Sequence, residues 1–435
     1  MTGVSMRFGL LTAAAGVLAL AGLAFRSTNA IPSKTREPWK TGYWVWAGDA
    51  PASARFTPEI LYVEAPATRW PRHLPRAEQY VIVQRIEPAT PLTLVAAAAI
   101  AEHYRTLVAD AGVGVHIAGL QIDYDCPTRS LESYGAFLKQ VHQRLPAGSF
   151  LSITALLDWF GPRTEIVSAL RWVDEFVPQF YDTAHERMSA GIAQPIDPSK
   201  WAPVFNSYRV PYRIGISSFG RIARRRVDAS GRASVHYFRD VSPVAFAGRK
   251  ALTRSITTTS AGELIVHYDI LARIEDKPEL QPGDVVDITF PTEASVRTAY
   301  EAARQFGDYC AGILAFRWPS RSETMTLAPD DVERIAAGES LSAATNLEVR
   351  HAECIERQCQ DLYLDLGGHL LSADRAIGIR AAGPMDLFLP GGPLRPSTVH
   401  ANEILVRLPA YSGQGKVYLG RAISSSQVDF EVVQP

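Results

Sequence analysis

The stretch GLQIDYDCP at residues 119–127 decides how the rest of the chain is interpreted. Because successive side chains of a β-strand point to opposite faces, its apolar residues point one way, and Gln121, Asp123 and Asp125 point the other. Asp123 and Asp125 therefore share one face, roughly 7 Å apart along the strand. Neighbouring carboxylates repel, which raises the pKa of one and lowers that of the other, as acid–base chemistry requires. The same spacing also fits a helix cap or a hydrated surface, so the context has to decide.

Short apolar strands alternate with helices over most of the chain. Eight strands are predicted, at residues 41–46, 60–63, 80–86, 119–125, 150–157, 175–181, 212–218 and 312–318. Helices are predicted at residues 92–110, 130–144, 293–306 and 330–337. Strands in this arrangement pair in parallel, and eight of them close a barrel. We therefore predict the α/β class with a (β/α)8 barrel over residues 41–338, and an open doubly wound sheet as the alternative.

Two regions depart from the repeating strand–helix unit. The seventh unit carries an insertion at about residues 220–290, whose strand-like runs predict a small antiparallel subdomain beside the barrel mouth. After residue 341 the helical periodicity disappears, and short alternating strands follow with Gly and Pro between them. This pattern predicts a C-terminal β-sandwich over residues 341–435.

The N-terminal residues 1–30 are predicted to form a targeting segment rather than part of the fold. Arg7 precedes an apolar run at residues 8–25, and small residues follow as far as Ala30. The segment fits either a signal peptide or an uncleaved anchor in the inner membrane. We therefore expect the remaining chain to be exported to the periplasm, either released or anchored by this segment.

Composition argues against several classes of protein. The chain has 44 Lys and Arg against 45 Asp and Glu, a net charge of −1, which gives no electrostatic reason to expect nucleic acid as a partner. Cys354 and Cys359 are close in sequence, so they could form a local disulfide, and the alternative is that both stay reduced. Cys126 and Cys310 are expected to be single thiols. The Cys and His residues do not have metal-ligand spacing, so we expect no metal and no cofactor.

Polar and aromatic residues gather at the predicted carboxyl ends of the strands, which is where barrels of this kind carry their functional groups. Aromatic rings stack on sugar rings, while acids bind hydroxyls and move protons. This combination predicts a polysaccharide or oligosaccharide as the partner. The candidate residues are Trp44, Trp46, Glu87, Asp123, Asp125, Trp159, Gln179, Tyr181, Asp182 and Trp318.

The segment AGLQIDYDCP at residues 118–127 resembles the fourth-strand motif of family 18 glycoside hydrolases, the chitinase-type barrels. Their pattern is D-G-x-D-x-D-x-E, usually followed by a proline two residues later. Gly119 matches the glycine, Asp123 the last aspartate, Asp125 the catalytic glutamate and Pro127 the proline. The resemblance implies that Asp125 protonates the leaving oxygen, while Asp123 orients the substrate's own acetamido group for attack.

Other positions extend the resemblance or depart from it. QFYD at residues 179–182 resembles the M-x-Y-[DN] motif of the sixth strand, so Tyr181 and Asp182 correspond to its last two positions. Tyr181 would then hydrogen-bond the acetamido group. Ala118 and Gln121 replace the first two acids of the fourth-strand motif, and Asp125 is one methylene shorter than glutamate.

The departures leave three hypotheses open. The chain is an exported glycoside hydrolase of the family 18 type, or it pairs Asp125 with Asp182 or Glu87 as an ordinary two-carboxylate site. Alternatively, it is a non-catalytic barrel that binds glycans or acts as a scaffold in the cell envelope.

On the eighth strand, Phe316 or Trp318 would stand for the buried tryptophan of family 18. The whole chain more closely resembles a bacterial family of predicted exported proteins, domain of unknown function 3142, whose label implies no activity.

Overall fold

A computed structural model describes most of the chain after the N-terminal segment. The described residues are 39–46, 50–65, 68–181, 191–228, 230–238, 246, 251–320, 323, 325–341, 346–365, 375–391, 396–400, 402–408 and 416–433. The predicted targeting segment at residues 1–30 and the candidate residue Asp182 lie outside them. Among the described residues, no helix has both the length and the apolar character that a membrane crossing needs.

Seven strands of the predicted barrel follow one another from residue 40 to residue 217. They are β1 (Lys40–Trp46), β2 (Ile60–Glu64), β3 (Gln79–Arg85), β4 (Ile117–Asp123), β5 (Phe150–Ala155), β6 (Glu175–Pro178) and β7 (Tyr212–Ser217). Each pairs in parallel with its neighbours, as strands with two buried faces do.

The predicted insertion forms a five-stranded antiparallel sheet. Its strands are β8 (Arg221–Val227), β9 (Ala233–Phe238), β10 (Leu252–Thr258), β11 (Leu264–Ile270) and β12 (Val285–Phe290), in the order β10-β11-β12-β8-β9. One face carries an apolar cluster of its own, with Val266 and Ile288 fully buried.

The eighth barrel strand, β13 (Cys310–Phe316), closes the barrel by pairing in parallel with both β7 and β1. The strand order is β1-β13-β7-β6-β5-β4-β3-β2, which confirms the closed barrel and excludes the open sheet. A glycine is required at the closure, because a Cβ on Gly312 would lie 1.8 Å from the carbonyl oxygen of Lys40. Its φ of +143° also disfavours any other residue.

Six α-helices are described. They are α1 (Leu94–Ala111), α2 (Leu131–His142), α3 (Ile166–Leu170), α4 (Pro198–Ser207), α5 (Glu293–Ala303) and α6 (Pro329–Ala336). Local sequence sets their starts: the Thr93 hydroxyl accepts from Ala96 N at 3.1 Å, and Thr292 and Ser295 form a capping box. Apolar residues on the outer face of the strands and on the helices form the largest buried cluster.

An ion pair fills the N-terminal end of the barrel lumen. Arg213 Nε donates to Glu175 Oε2 at 2.8 Å, and Tyr62 donates its hydroxyl proton to Glu175 Oε1 at 2.6 Å. Arg213 also donates to the carbonyl oxygens of Lys40 and Ala311 at 3.2 and 3.1 Å. The Arg213 side chain is only 1% exposed. Its buried charge is stable because each of these partners replaces a hydrogen bond to water.

The C-terminal part is rich in β-structure, as predicted. Its strands are β14 (Asn346–Ala352), β15 (Gln358–Asp365), β16 (Arg375–Ala381), β17 (Leu387–Pro390), β18 (Pro396–His400), β19 (Glu403–Leu408), β20 (Lys416–Ser424) and β21 (Phe430–Val433). They form two antiparallel sheets, β14-β15-β20-β17 and β18-β19-β16-β21. Side chains from both sheets, among them Leu362 and Ile404, form one buried cluster. The exact domain limits stay a prediction.

The four cysteines fall into two groups. Cys354 and Cys359 form a disulfide that links the end of β14 to the start of β15. Cys126 and Cys310 are free and buried, as expected for single thiols.

Candidate functional site

The C-terminal end of β4 places Asp123 inside the barrel mouth. Leu120 and Ile122 pack outward against the helices, so the alternation of β4 turns Gln121 and Asp123 into the lumen. The hydroxyl of Thr154 on β5 donates to Asp123 Oδ1 at 2.7 Å. With 9% of its surface exposed, Asp123 is a buried carboxylate at the floor of the mouth.

Gln121 lies one layer deeper, where the family 18 motif has an acid. Its Oε1 accepts from Trp44 Nε1 at 2.8 Å, and its Nε2 donates to Ser152 Oγ at 3.1 Å. Ser152 Oγ in turn donates to Glu175 Oε1 at 3.0 Å. An amide supplies both the acceptor that an indole N–H needs and a donor for the serine, whereas a carboxylate would supply acceptors alone. A neutral residue therefore suits this buried position.

Burial raises the pKa of Asp123 above its usual range. The Thr154 hydrogen bond and the positive charge of Arg85 oppose this shift, while the negative charges of Glu64 and Glu87 add to it. Burial also raises the pKa of Glu64, and Arg85 again opposes the shift. The mouth thus holds two carboxyl groups whose pKa values burial raises, next to one arginine whose charge lowers both.

Asp125 lies beyond the end of β4 and is exposed. Burial is the first cause that raises the pKa of the neighbouring Cys126 thiol to about 12, and the charges of Asp125 and Asp158 contribute to the same shift. Both carboxylates therefore lie near this thiol. Asp158 Oδ2 accepts from the Thr128 hydroxyl at 3.0 Å. The acid that corresponds to the catalytic glutamate is thus accessible to solvent, unlike Asp123.

Tyr181 follows β6, which is separated from β4 by one strand in the barrel order. Its ring stacks on Phe316, with ring centroids 5.0 Å apart and planes inclined by 15°. Phe316 also contacts the ring of Trp44 at 5.1 Å, and Trp44 binds Gln121, two residues before Asp123. This series of contacts connects Tyr181 to Gln121, which precedes Asp123 on β4. Gln179 lies beside Gly215 of β7 and is 9% exposed.

Trp46 is the one predicted tryptophan that remains partly exposed at the mouth. Its ring lies against Phe316 at 5.8 Å, and the guanidinium of Arg317 lies 4.0 Å from its centroid. Glu323 fixes Arg317 through two hydrogen bonds of 2.8 and 2.9 Å. Within the described residues, the buried Trp46 Nε1 has no acceptor.

The structure corrects the predicted sugar contacts of three tryptophans. Trp44 is 3% exposed inside the lumen, beneath the mouth. Trp159 is fully buried in the outer core and donates to the Cys126 carbonyl oxygen at 3.0 Å. Trp318 is 2% exposed, packs edge-on against Tyr43 and donates to the Ala52 carbonyl oxygen at 2.9 Å. No ring face of these residues is open to a sugar.

The remaining predicted residue, Glu87, is exposed and lies beside Arg85, with Oε1 3.5 Å from Arg85 Nε. The prediction missed Thr154, which holds Asp123, although its inward position on β5 follows from the same alternation of side chains. In the part of the chain that the structure describes, His, Cys, Asp and Glu residues do not form a group suited to a metal ion.

Comparisons with solved structures give similarity at low identity. The spore cortex-lytic enzyme SleL of Bacillus cereus is 15% identical with a TM-score of 0.44, covering 72% of this chain and 76% of that one. The C-terminal domain of a putative chitinase from Desulfitobacterium hafniense is 14% identical with a TM-score of 0.44, covering 69% and 100%. Chitinase ChiA74 of Bacillus thuringiensis is 8% identical with a TM-score of 0.39, covering 91% and 100%. At these values the likeness carries no argument about activity.

No curated protein matches the sequence. Residues 77–257, which run from the start of β3 into the inserted sheet, match the family model described as domain of unknown function (DUF3142). This match confirms the resemblance of the chain to the DUF3142 family.

Proposed function

We propose that this chain is an exported glycoside hydrolase that cleaves a polysaccharide by carboxylate acid–base catalysis at the barrel mouth. The observation that supports the proposal best is the difference between two acids on one strand end. Asp123 is buried and held by Thr154, while Asp125 is exposed two residues later. Catalysis of glycoside cleavage uses two carboxyl groups in unlike environments, because one transfers a proton while the other orients and stabilises the reacting group.

In the proposed reaction, Asp125 donates a proton to the leaving glycosidic oxygen. Asp123 holds the acetamido group of an amino sugar in position, and Tyr181 stabilises the same group by a hydrogen bond. The acetamido oxygen forms a bond to the anomeric carbon as the bond to the leaving oxygen breaks. Water then attacks the anomeric carbon, breaks the bond to the acetamido oxygen and gives the free reducing end. Arg85 and Glu87, next to Asp123 at the mouth, contribute charge to this step. If the substrate lacks an acetamido group, Asp125 pairs with Glu87 or Asp182 as the second carboxylate.

We place this activity outside the cytoplasm, with residues 1–30 as a signal peptide or an anchor in the inner membrane. N-terminal sequencing of the purified chain distinguishes the two. A mature terminus close to residue 31 indicates cleavage, whereas an intact terminus in the membrane fraction indicates an anchor. A cytoplasmic, uncleaved chain would contradict this placement.

The test is release of reducing ends by the purified full-length chain from β-linked amino-sugar polymers and bacterial exopolysaccharides. Asp125→Asn should lower the rate by about 10²–10⁴-fold, the usual contribution of a general acid. Glu301→Gln, an exposed carboxylate in the last turn of α5 and therefore at the end of the barrel opposite the mouth, is the matched control and should retain wild-type activity. Unchanged turnover in Asp125→Asn would remove Asp125 from the mechanism.

A second candidate function is glycan binding without cleavage. It is favoured by the shorter acid at Asp125, which withdraws the carboxyl by about 1.5 Å from the position a glutamate would reach, a displacement large enough to abolish proton transfer. Gln121, held by Trp44 and Ser152, also offers no charge to Asp123. Calorimetric binding of the same polymers with no reducing ends would establish this alternative, and turnover that depends on Asp125 would exclude it.

A further inference from the structure

Three neighbouring strands of the inserted sheet bring a hydroxyl, an imidazole and a carboxylate into line. Thr257 lies on β10, His267 on β11 and Asp287 on β12, and His267 is the direct cross-strand partner of Asp287. Thr257 Oγ1 lies 2.7 Å from His267 Nε2, and His267 Nδ1 lies 2.6 Å from Asp287 Oδ1. These atoms are part of neither the barrel mouth nor its proposed reaction.

The chemistry of the three groups determines where the protons lie. An ionised carboxylate only accepts hydrogen bonds, so Asp287 requires the proton of a neutral His267 to be on Nδ1. Nε2 is then an acceptor, and the Thr257 hydroxyl donates to it. The imidazole is thus oriented to take a proton from this hydroxyl, which is the arrangement of a nucleophile, a base and an orienting acid.

Asp287 is held firmly enough to orient the imidazole. Its side chain is 1% exposed, and Arg225 donates to both of its oxygens, from Nε to Oδ2 and from a terminal nitrogen to Oδ1 at 3.1 Å. His267 is 20% exposed and Thr257 is exposed. Exposure therefore increases from the carboxylate to the hydroxyl, so the atom that would react is the one that a substrate reaches.

We propose that Thr257 is a base-activated nucleophile that accepts the acyl group of a small carboxylic ester, such as an O-acetyl substituent. Thr257 Oγ1 attacks the ester carbonyl carbon, and its proton passes to His267 Nε2. The bond from the carbonyl carbon to the ester oxygen breaks, and the departing alkoxide takes that proton and leaves as an alcohol. Water, activated by the same imidazole, then hydrolyses the acyl-threonine to a carboxylic acid and restores the hydroxyl.

Thr253 is a matched control on the same strand and face. It is exposed, and its hydroxyl donates to the Asp269 carboxylate at 3.2 Å. The hydroxyls of Thr253 and Thr257 therefore differ in their partner, a carboxylate for one and a histidine oriented by a carboxylate for the other. If these polar side chains only stabilised the sheet, the hydroxyls of Thr253 and Thr257 would be equally unreactive.

The experiment is rapid mixing of the full-length chain with p-nitrophenyl acetate, followed by peptide mass spectrometry. We expect a burst of about one p-nitrophenol per chain and acetylation of Thr257. Thr257→Val should abolish the burst, His267→Gln should slow it about 10²-fold or more, and Thr257→Ser should restore it. Thr253→Val and Asp125→Asn should leave it unchanged, and the latter separates this proposal from cleavage at the barrel mouth.

Acetylation spread over lysines with none on Thr257 would overturn the proposal, as would equal labelling of Thr257 in wild type and His267→Gln. Thermal melting followed by circular dichroism identifies any variant that fails to fold. If a variant fails to fold, peptide mass spectrometry of the wild-type chain still tests the proposal, because it shows directly whether Thr257 is acetylated.

Discussion

Glu263 shows how one side chain links the inserted sheet to the loop that carries Tyr181. Its surface is fully buried, and its Oε2 accepts from Ile192 N at 2.9 Å, next to Ala193, which pairs with Tyr181. Within the described residues, Oε1 has no hydrogen-bond partner. Burial raises the pKa of Glu263 to about 7, although the backbone N–H groups and Arg221 oppose the shift.

This pKa predicts how stability depends on pH. Between the unfolded value of about 4.5 and the folded value of about 7, the folded chain keeps a proton that the unfolded chain releases. Stability therefore falls as pH rises through this window, by about 3 kcal/mol in total. Glu263→Gln should remove the loss, so urea denaturation should find the variant more stable than wild type at pH 8 and close to it at pH 5.

Glu275→Gln, an exposed carboxylate on the same insertion, is the control and should leave the pH dependence as it is. Equal differences between Glu263→Gln and wild type at pH 5 and pH 8 would show that Glu263 does not titrate in this range.

Single residues also mark the limit of prediction from sequence. The alternation of side chains placed Gln121 and Asp123 correctly, because both lie within β4. Trp318 lies two residues beyond the end of β13, where alternation no longer applies, and its ring turns outward. Trp159 lies in the 3₁₀-helix Leu157–Phe160, whose period differs from that of a strand. Aromatic residues past a strand end could not be assigned to a face from sequence alone.

At the level of elements, the predicted strands and helices match the structure closely, since apolar runs of strand length between helices have few other interpretations. The sixth strand was predicted to reach residue 181 but ends at Pro178, which has no N–H to donate to a ladder. Gln179 and Tyr181 form isolated bridges instead. This irregular end brings the Tyr181 ring against Phe316, a contact that no sequence pattern indicates.

The junction of β1 and β13 gives a prediction at this scale. Gly312→Ala would place a methyl group 1.8 Å from the Lys40 carbonyl oxygen, so one strand must shift and the barrel seam must open. We expect a loss of stability of at least about 3 kcal/mol, measured by urea denaturation, because a strained backbone and broken pairing add together. Gly148→Ala, at a positive φ with open space around it, is the control for the conformational cost alone and should lose less. Equal losses would show that the seam tolerates the methyl group.

On the scale of the whole molecule, the barrel and the C-terminal sheets have separate buried clusters that share no residue. A chain ending at residue 341 should therefore keep the thermal transition of the barrel, followed by circular dichroism, and any reducing-end activity within a few-fold. A drop of more than tenfold in activity with folding intact would show that the C-terminal sheets contribute to the site. Loss of the transition would show that the barrel depends on them for folding.

The ion pair of Arg213 and Glu175 has a consequence for any long ligand. It closes one end of the barrel, beneath a lumen that is packed with buried side chains such as Trp44 and Val177, so the barrel is not a tunnel. A polysaccharide cannot pass through the barrel and must bind across the barrel mouth, so that both of its ends leave the protein on the same side. An enzyme of this shape would cleave internal bonds of a polysaccharide as readily as bonds near its ends, unless loops around the barrel mouth block one side of the binding site.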